Sequence, residues 1–381
     1  MTDADLHAPL IDQQGSRRSL NTPALLIDAG ALDRNIAAMA KFAAGHALQL
    51  RPHAKTHKSP EIARRQLTAG AIGICCAKIG EAEVLADNGV TQGLHLTSPV
   101  VGAHAIARLL ALNLRTSELM CVVDNPENVR ALGVAASESG KPLNIIIDID
   151  PGICRTGIGS PEAAVELLRA IEQEGDLQYV GVQCYCGAQQ HIHDFDDRRQ
   201  AMEERARYVH AIIDALTEAG GRPEIVTGGG TGTHRIDPAL DLFTELQVGS
   251  YVFMDTEYLA CDLTGDAAPV PFETALLVDA RVISNNTPGL VTLDAGFKAF
   301  ATDAGAPAVV AGAPAGATYR FMGDEHGALL LPGGGTLPLG QIVTLATPHC
   351  DPTVNLYDTY HVIEGDTLRA LWPVAARGRS R

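Results

Sequence analysis

Short apolar runs alternate with helix-length amphipathic segments from about residue 22 to residue 251, and no other property of the chain narrows its possible folds as much. Residues 22–28, Thr22-Pro23-Ala24-Leu25-Leu26-Ile27-Asp28, read as a strand. Residues 31–44 read as a helix with Leu32, Ile36, Met39 and Ala40 on its apolar face. Strand-like runs follow at 48–51, 72–76, 93–97, 120–123, 145–149, 179–185, 224–227 and 246–251, mostly separated by helix-length segments such as 60–69, 81–88, 104–112, 161–173 and 198–219. Eight strands alternating with helices predict an α/β fold, a closed (β/α)8 TIM-like barrel; a doubly wound open sheet is the alternative.

Beyond about residue 265 helical periodicity fades. Segments 275–282, 291–294, 308–310, 328–331, 341–345 and 360–363 are β-like, divided by Pro/Gly-rich turns, and the Gly/Pro/Ala stretch 305–316 reads as a long loop. The expected organisation is an N-terminal segment (1–29) packing with a C-terminal all-β domain (266–381), around a barrel at 30–265. At 381 residues and 46% hydrophobic the chain can bury a large core. A net charge of -16 argues against nucleic acid or an acidic membrane surface as the main partner. The polar start and the lack of a long uncharged apolar run predict a cytoplasmic protein with no membrane partner. Eight scattered cysteines without a C-x-x-C pair read as reduced core residues.

In a barrel the chemistry lies at the carboxyl ends of the strands. The first of these carries Arg51-Pro52-His53-Ala54-Lys55-Thr56-His57-Lys58. Burial penalises an ammonium and lowers its pKa, and a neutral amine is what Schiff-base chemistry requires. A solvated loop lysine is the plain alternative for Lys55 or Lys58. Arg155, in Gly152-Ile153-Cys154-Arg155-Thr156-Gly157, lies just past another strand end, where a structural salt bridge is the alternative. Tyr185 ends the strand before Gln190-His191-Ile192-His193-Asp194, whose histidines are natural general bases at neutral pH.

Thr227-Gly228-Gly229-Gly230-Thr231-Gly232 also follows a strand. Its glycines would let backbone N–H groups approach an anion, and its hydroxyls add donors. With Gly249-Ser250-Tyr251 at the next strand end it predicts one phosphate site; a tight loop is the alternative, and the P-loop pattern is absent. His349-Cys350-Asp351 is a different signal. Residues two apart on an extended chain face the same way with α-carbons about 6.5 Å apart, so an imidazole and a carboxylate could converge on one cation. The oxygen donor favours Mn²⁺ or Mg²⁺. A surface hydrogen-bonded pair is the alternative.

Taken together, these motifs resemble the fold-type III pyridoxal-phosphate enzymes, the alanine-racemase-like barrels. The resemblance runs from Thr22 to Arg379 and extends to Glu245-Leu246-Gln247, Asp294-Ala295-Gly296, Asp324-Glu325-His326-Gly327, Pro352-Thr353 and Trp372-Pro373-Val374. Within that group the chain is most similar to the metal-activated D-threonine aldolase and 3-hydroxy-D-aspartate aldolase family. The resemblance implies that Lys55 forms the Schiff base with pyridoxal 5'-phosphate, Arg155 faces the ring nitrogen and Tyr185 lines the cofactor. Thr227, Gly230, Thr231, Gly249, Ser250 and Tyr251 would hold the phosphate. His191 would be the catalytic base, and His349 with Asp351 would bind a divalent metal.

The implied activity is cleavage of D-β-hydroxy-α-amino acids of the D-threonine or D-phenylserine type to glycine and an aldehyde, by a homodimer. Cleavage of 3-hydroxy-D-aspartate to glycine and glyoxylate is the alternative. So is a D-serine or 3-hydroxyaspartate dehydratase, although such relatives carry His-x-Cys where this chain has Asp351. A pyridoxal-phosphate carrier would lack the β domain, and an amino-acid racemase would have no use for the His349/Asp351 pair. Two strand-end residues depart from the family pattern: Cys186, where relatives carry His or Gln, and Ala77, where they carry Gln.

Overall fold

The structure, a computed structural model, describes residues 2–266 and 268–381. Eight parallel strands form one sheet: β2 (Gln49–Leu50), β3 (Ile74–Cys76), β4 (Leu94–Leu96), β5 (Met120–Val123), β6 (Leu143–Asp148), β7 (Leu177–Cys184), β8 (Ile225–Gly228) and β9 (Glu245–Leu246). Neighbours in sequence are neighbours in the sheet, except that β9 returns to β2 and β2 turns to β3. That last seam is closed by backbone bonds. Ile72 N–H donates to Leu50 O at 2.9 Å, Cys75 N–H to Pro52 O at 2.8 Å, and Ala54 N–H to Cys75 O at 2.8 Å. The sheet is therefore a barrel. Its strands are covered on both faces, so runs such as Ile145-Ile146-Ile147, fully buried, read as unbroken apolar stretches.

Inside the barrel, polar side chains are paired. Arg51 forks onto Glu245 (Nε–Oε1 2.8 Å, Nη2–Oε2 2.9 Å), and Gln183 joins His95, Asp148 and Gln247 at 2.8, 2.8 and 3.1 Å. Removing one partner of such a buried ion pair costs about 3–5 kcal/mol, because the other charge stays buried and uncompensated. Strand β9 ends at Leu246, earlier than the apolar pattern suggests, and by Ser250–Val252 the chain has entered a 3-10 turn.

The remaining strands build a separate nine-stranded sheet. It comprises β1 (Ala24–Asp28), β10 (Leu276–Thr287), β11 (Leu290–Leu293), β12 (Ala308–Ala311), β13 (Thr318–Phe321), β14 (Gly327–Leu330), β15 (Ile342–Ala346), β16 (Thr359–Glu364) and β17 (Thr367–Pro373). Strand β1 lies in its middle, antiparallel to β10 and parallel to β16, with Leu25, Leu26 and Ile27 fully buried. Truncating one of these to Ala would cost about 2–5 kcal/mol. The chain then passes straight into the first barrel helix, Ala29–Gly45, capped by Asp28, whose Oδ1 accepts the Ala31 N–H at 2.9 Å. The N-terminal strand thus belongs to the sheet domain, and the helix after it to the barrel.

Two strands escape the sequence pattern, β13 and β17. Each ends the main path of the sheet, with a single neighbour, so each carries exposed polar residues (Arg320, Arg369) that dilute the apolar signal. The segment 308–310, read as β-like within the Gly/Pro/Ala stretch 305–316, forms the short β12.

Candidate active site

Past β2 the backbone bridges to Cys75 at His53 and then curls. His57 and Lys58 N–H both donate to Ala54 O, at 3.1 and 2.7 Å, with Lys58 at φ 48°. The curl sends the two lysines different ways. Lys58 is buried against Glu81 at 2.5 Å, and the same carboxylate accepts the Ala77 N–H. Lys55 instead enters a cavity of about 640 Å³ at the carboxyl ends of the barrel strands, with its Nζ 3.3 Å from Asp351 Oδ2.

That contact reverses the expectation of a lysine made neutral by burial. The charge of Asp351 raises the Lys55 pKa by more than burial lowers it. Burial would in turn raise the Asp351 carboxyl, but Lys55 and His349 hold it down at about 2. The two shifts together favour the ammonium–carboxylate form of the pair. An electrophile in the cavity must take its proton-free amine from that pair.

The cavity wall gathers Arg155, Tyr185, His191, Gly230, Thr231, Gly249, Ser250, His349 and Asp351 around Lys55. Lys55 Nζ and the Arg155 guanidinium each lie 5.8 Å from the Tyr185 ring centre. Carboxylates shape the Arg155 loop: Asp150 accepts the N–H groups of Gly152, Ile153 and Cys154, while Asp148 Oδ2 accepts the Thr156 hydroxyl at 2.7 Å. Gly157 has φ 105°, and a Cβ there would fall 2.4 Å from Asp150 N, so glycine is required.

Two expected phosphate residues are not on this wall. Thr227 is buried in the barrel interior, where its hydroxyl accepts from Gln247 Nε2 at 3.0 Å, because strand alternation turns it inward. Tyr251 is turned into the core, with its hydroxyl accepting from Gln66 Nε2 at 3.0 Å; the chain has left strand β9 before reaching it. Its backbone N–H is taken by Thr231 Oγ1 at 3.0 Å, which ties the two loops together. Of the two departures from the family pattern, Ala77 lines the cavity and Cys186 is buried and off its wall.

The cavity fits pyridoxal phosphate. Gly249 is in close contact with the floor, since a Cβ on it would lie 2.7 Å from Thr56 Oγ1, itself a buried hydroxyl without a partner. The loops at Gly230-Thr231 and Gly249-Ser250 face the same space as the amine and the guanidinium.

The His349-Cys350-Asp351 segment is not extended. His349 caps a short helix, Cys350–Val354, and Asp351 projects from its first turn. Cys350 is buried, its Sγ 3.2 Å from Asp255 Oδ2. His349 Nδ1 meets Asp303 Oδ2 at 2.7 Å, which leaves Nε2 as the free ring nitrogen. Burial lowers the His349 pKa, yet the facing Asp351 and Asp303 raise it overall. An imidazole held from behind by a carboxylate, beside a second carboxylate, is a donor set suited to a hard divalent ion. Among the described residues no group of three or more His, Cys, Asp or Glu gathers on one point, so the chain would offer such an ion two ligands here.

His191 closes the 3-10 turn Ala188–His191 and packs against the Tyr258 ring, with centroids 4.6 Å apart and planes tilted by 37°. Its Nδ1 lies 3.4 Å from Glu257 Oε1, out of hydrogen-bond alignment. Burial lowers its pKa more than Glu257 raises it, which favours the neutral imidazole. His193, in the same loop, is exposed and off the cavity wall. Sequence reasoning missed Asp255, Glu257 and Asp303. Only Asp255 leaves a trace in the sequence, as an isolated charge ending the apolar run Val252-Phe253-Met254.

Comparison with known proteins agrees with this geometry. Residues 27–257 match the alanine racemase N-terminal domain, and residues 275–363 a putative serine dehydratase domain. The chain is 37% identical to a D-threonine aldolase of Arthrobacter sp over 95% of its length and 94% of the relative's. It is 36% identical to a 3-hydroxy-D-aspartate aldolase of Paracoccus denitrificans, over 94% of its length and 93% of the relative's. The crystal structure of a D-threonine aldolase from Filomicrobium marinum superposes with a TM-score of 0.90 at 36% identity, covering 96% of this chain and 97% of that one. The barrel with its cavity lysine and the sheet domain with its His349 turn therefore come as one inherited unit, and the chain belongs to the D-threonine aldolase and 3-hydroxy-D-aspartate aldolase family of fold-type III pyridoxal-phosphate enzymes.

Proposed function

We propose that the chain is a pyridoxal-phosphate- and divalent-metal-dependent aldolase that cleaves D-β-hydroxy-α-amino acids to glycine and an aldehyde. The observation that carries this reading is the convergence on one cavity of an amine, Lys55, an imidazole base, His191, and the imidazole–carboxylate pair His349/Asp351. Both named aldolase relatives align over nearly the whole chain, which supports the same reaction type.

Bound to Lys55, the cofactor would supply an electron sink for the carbon left behind when the Cα–Cβ bond breaks. The chain's own groups do the rest. Gly230, Thr231, Gly249 and Ser250 face the space where a phosphate would be gripped, and Tyr185 would support the ring. Arg155 cannot surrender its proton, so it would hold the ring nitrogen as a hydrogen-bond acceptor. His349 and Asp351 would hold Mn²⁺ or Mg²⁺, which lowers the pKa of a hydroxyl that it touches. His191, neutral and with Nδ1 turned to Glu257, is the acceptor for the β-hydroxyl proton. In this reading residues 30–265 bind the cofactor and residues 266–381, with 1–29 packed on them, bring the metal pair. The reading includes a homodimer working in the cytoplasm on small D-amino acids, without nucleic acid or membrane. Among the described residues no helix is long and apolar enough to cross a membrane.

A dehydratase is the competing reaction, since a D-threo-3-hydroxyaspartate dehydratase of Delftia sp. is 30% identical over 94% of this chain. Aldol cleavage is favoured because the residue offered to the cavity is Asp351, while the Cys350 thiol is buried against Asp255. Purified protein given pyridoxal phosphate and Mn²⁺ should release glycine from D-threonine, D-phenylserine or 3-hydroxy-D-aspartate. 2-Oxobutyrate from D-threonine, or oxaloacetate from 3-hydroxy-D-aspartate, in place of glycine would reject cleavage. Borohydride labelling of a residue other than Lys55 would reject the cofactor site.

A further inference from the structure

Gln190 is completely buried, directly precedes His191, and spans two elements that the proposed reaction uses for different purposes. Its Oε1 accepts the Gly232 N–H at 3.0 Å. Its Nε2 donates to Thr233 Oγ1 at 3.1 Å and to Cys186 O at 3.3 Å. Rotating the amide by half a turn would set its NH₂ against the Gly232 N–H and its oxygen against the Cys186 carbonyl, so the observed orientation is the one the surroundings allow. Thr233 passes the chain on, its hydroxyl donating to Asp237 Oδ2 at 2.9 Å.

The same contact explains glycines that phosphate binding alone does not. A Cβ on Gly230 would lie 2.4 Å from Gln190 Oε1, and one on Gly232 only 2.0 Å from the Gln190 carbonyl oxygen. The missing side chains of these two residues point at the His191 turn. The glycine loop is smooth so that this turn can lie directly on it. Asp237, behind the loop, is pushed by burial up to about 8, so at neutral pH it places no full negative charge behind a bound phosphate.

We propose that Gln190 is a positioning residue that locks the His191 turn to the glycine loop, so that gripping the cofactor phosphate and placing the base are one event. This rests on the pyridoxal-phosphate reading above, and it adds a coupling that neither the glycine loop nor His191 requires separately. Loss of the amide leaves the buried Gly232 N–H without its acceptor and the Thr233 hydroxyl without its donor from the His191 turn, and frees the loop to shift.

The test compares full-length apoprotein of the wild type, Gln190→Met and Thr233→Val, titrated with pyridoxal phosphate and, separately, with pyridoxal, which lacks the phosphate. Both ligands are read by imine absorbance. Gln190→Met keeps the volume and removes the amide; Thr233→Val leaves Gln190 in place and removes its partner. Both variants should bind pyridoxal phosphate about tenfold more weakly and pyridoxal within about twofold of wild type, so the preference for the phosphorylated ligand shrinks. The kcat for glycine release should fall with it at unchanged substrate KM. Should Gln190→Met fail to fold, Thr233→Val decides the matter alone. Variants that keep the wild-type preference and kcat, or that lose both ligands equally, overturn the coupling. A wild type that binds neither ligand at Lys55 overturns the function reading and the coupling with it.

Discussion

The two walls of the cavity are held in place by different forces. On the barrel side, backbone hydrogen bonds and a neutral amide do much of the positioning: the curl after β2 aims Lys55 and Gln190 joins the His191 turn to the glycine loop, while the Asp150 carboxylate gathers three N–H groups behind Arg155. On the sheet-domain side, full charges do it. His349 leans on Asp303, and Asp351 pairs with Lys55 across the domain boundary. Hydrogen bonds of the first kind vary little with pH or ions, whereas charge pairs of the second respond to both. In the proposed reading the sheet-domain wall is therefore the part whose charges a divalent cation would engage.

The comparison can be broken most forcefully at His191. His191→Ala should lower the rate of glycine release by about 10²–10⁴ while leaving the imine absorbance and metal affinity intact; steady-state kinetics beside a cofactor titration would show it, and full activity would remove His191 from the mechanism. Next in size is Asp303→Asn. Losing the carboxylate behind His349 should weaken Mn²⁺ binding about 10–100-fold, measured by calorimetry, without changing cofactor affinity. A drop in cofactor affinity instead would mean that the two walls are not separable.

The effect on stability is smaller and has a definite sign. Asp351 is held at about 2, below its ordinary value, so its contribution is complete above the ordinary carboxylate range and is lost as pH falls towards 2. His191 and the buried His53, both lowered, also make acid destabilising, from the ordinary imidazole range downward. His349, raised, acts oppositely: its contribution is present at low pH and is lost as pH rises through its pKa. Thermal melts of the metal-free apoprotein should therefore decline on acidification, and Asp351→Asn should flatten the acid end of that decline. Smallest of all is Glu257→Gln. A half-buried, poorly aligned contact of 3.4 Å is worth about 0–1 kcal/mol, so kcat should change by less than about fivefold.

The barrel side was the more legible in the residues. Parallel strands buried on both faces give unbroken apolar runs, so their ends, and with them Lys55, Arg155 and Tyr185, could be located by counting. Counting misled where the strand stopped early or the alternation turned inward, which is why Tyr251 and Thr227 lie off the wall. On the sheet side, the closeness of His349 to Asp351 was visible as spacing, but the backbone carrying them is a helix cap rather than a strand. Glu257 and Asp303 had no local signal, because each acts on a histidine far away in the chain.

Residue order was enough to specify the barrel, the sheet domain and the types of group at the cavity, since these follow from periodicity, from glycine where the backbone needs it, and from the chemistry of each side chain. The charge state of Lys55 was another matter. Burial alone argues for a neutral amine, and only folding brings Asp351 to 3.3 Å, where attraction between opposite charges outweighs the cost of desolvation. Distance through space decides that balance, and distance along the chain carries no information about it.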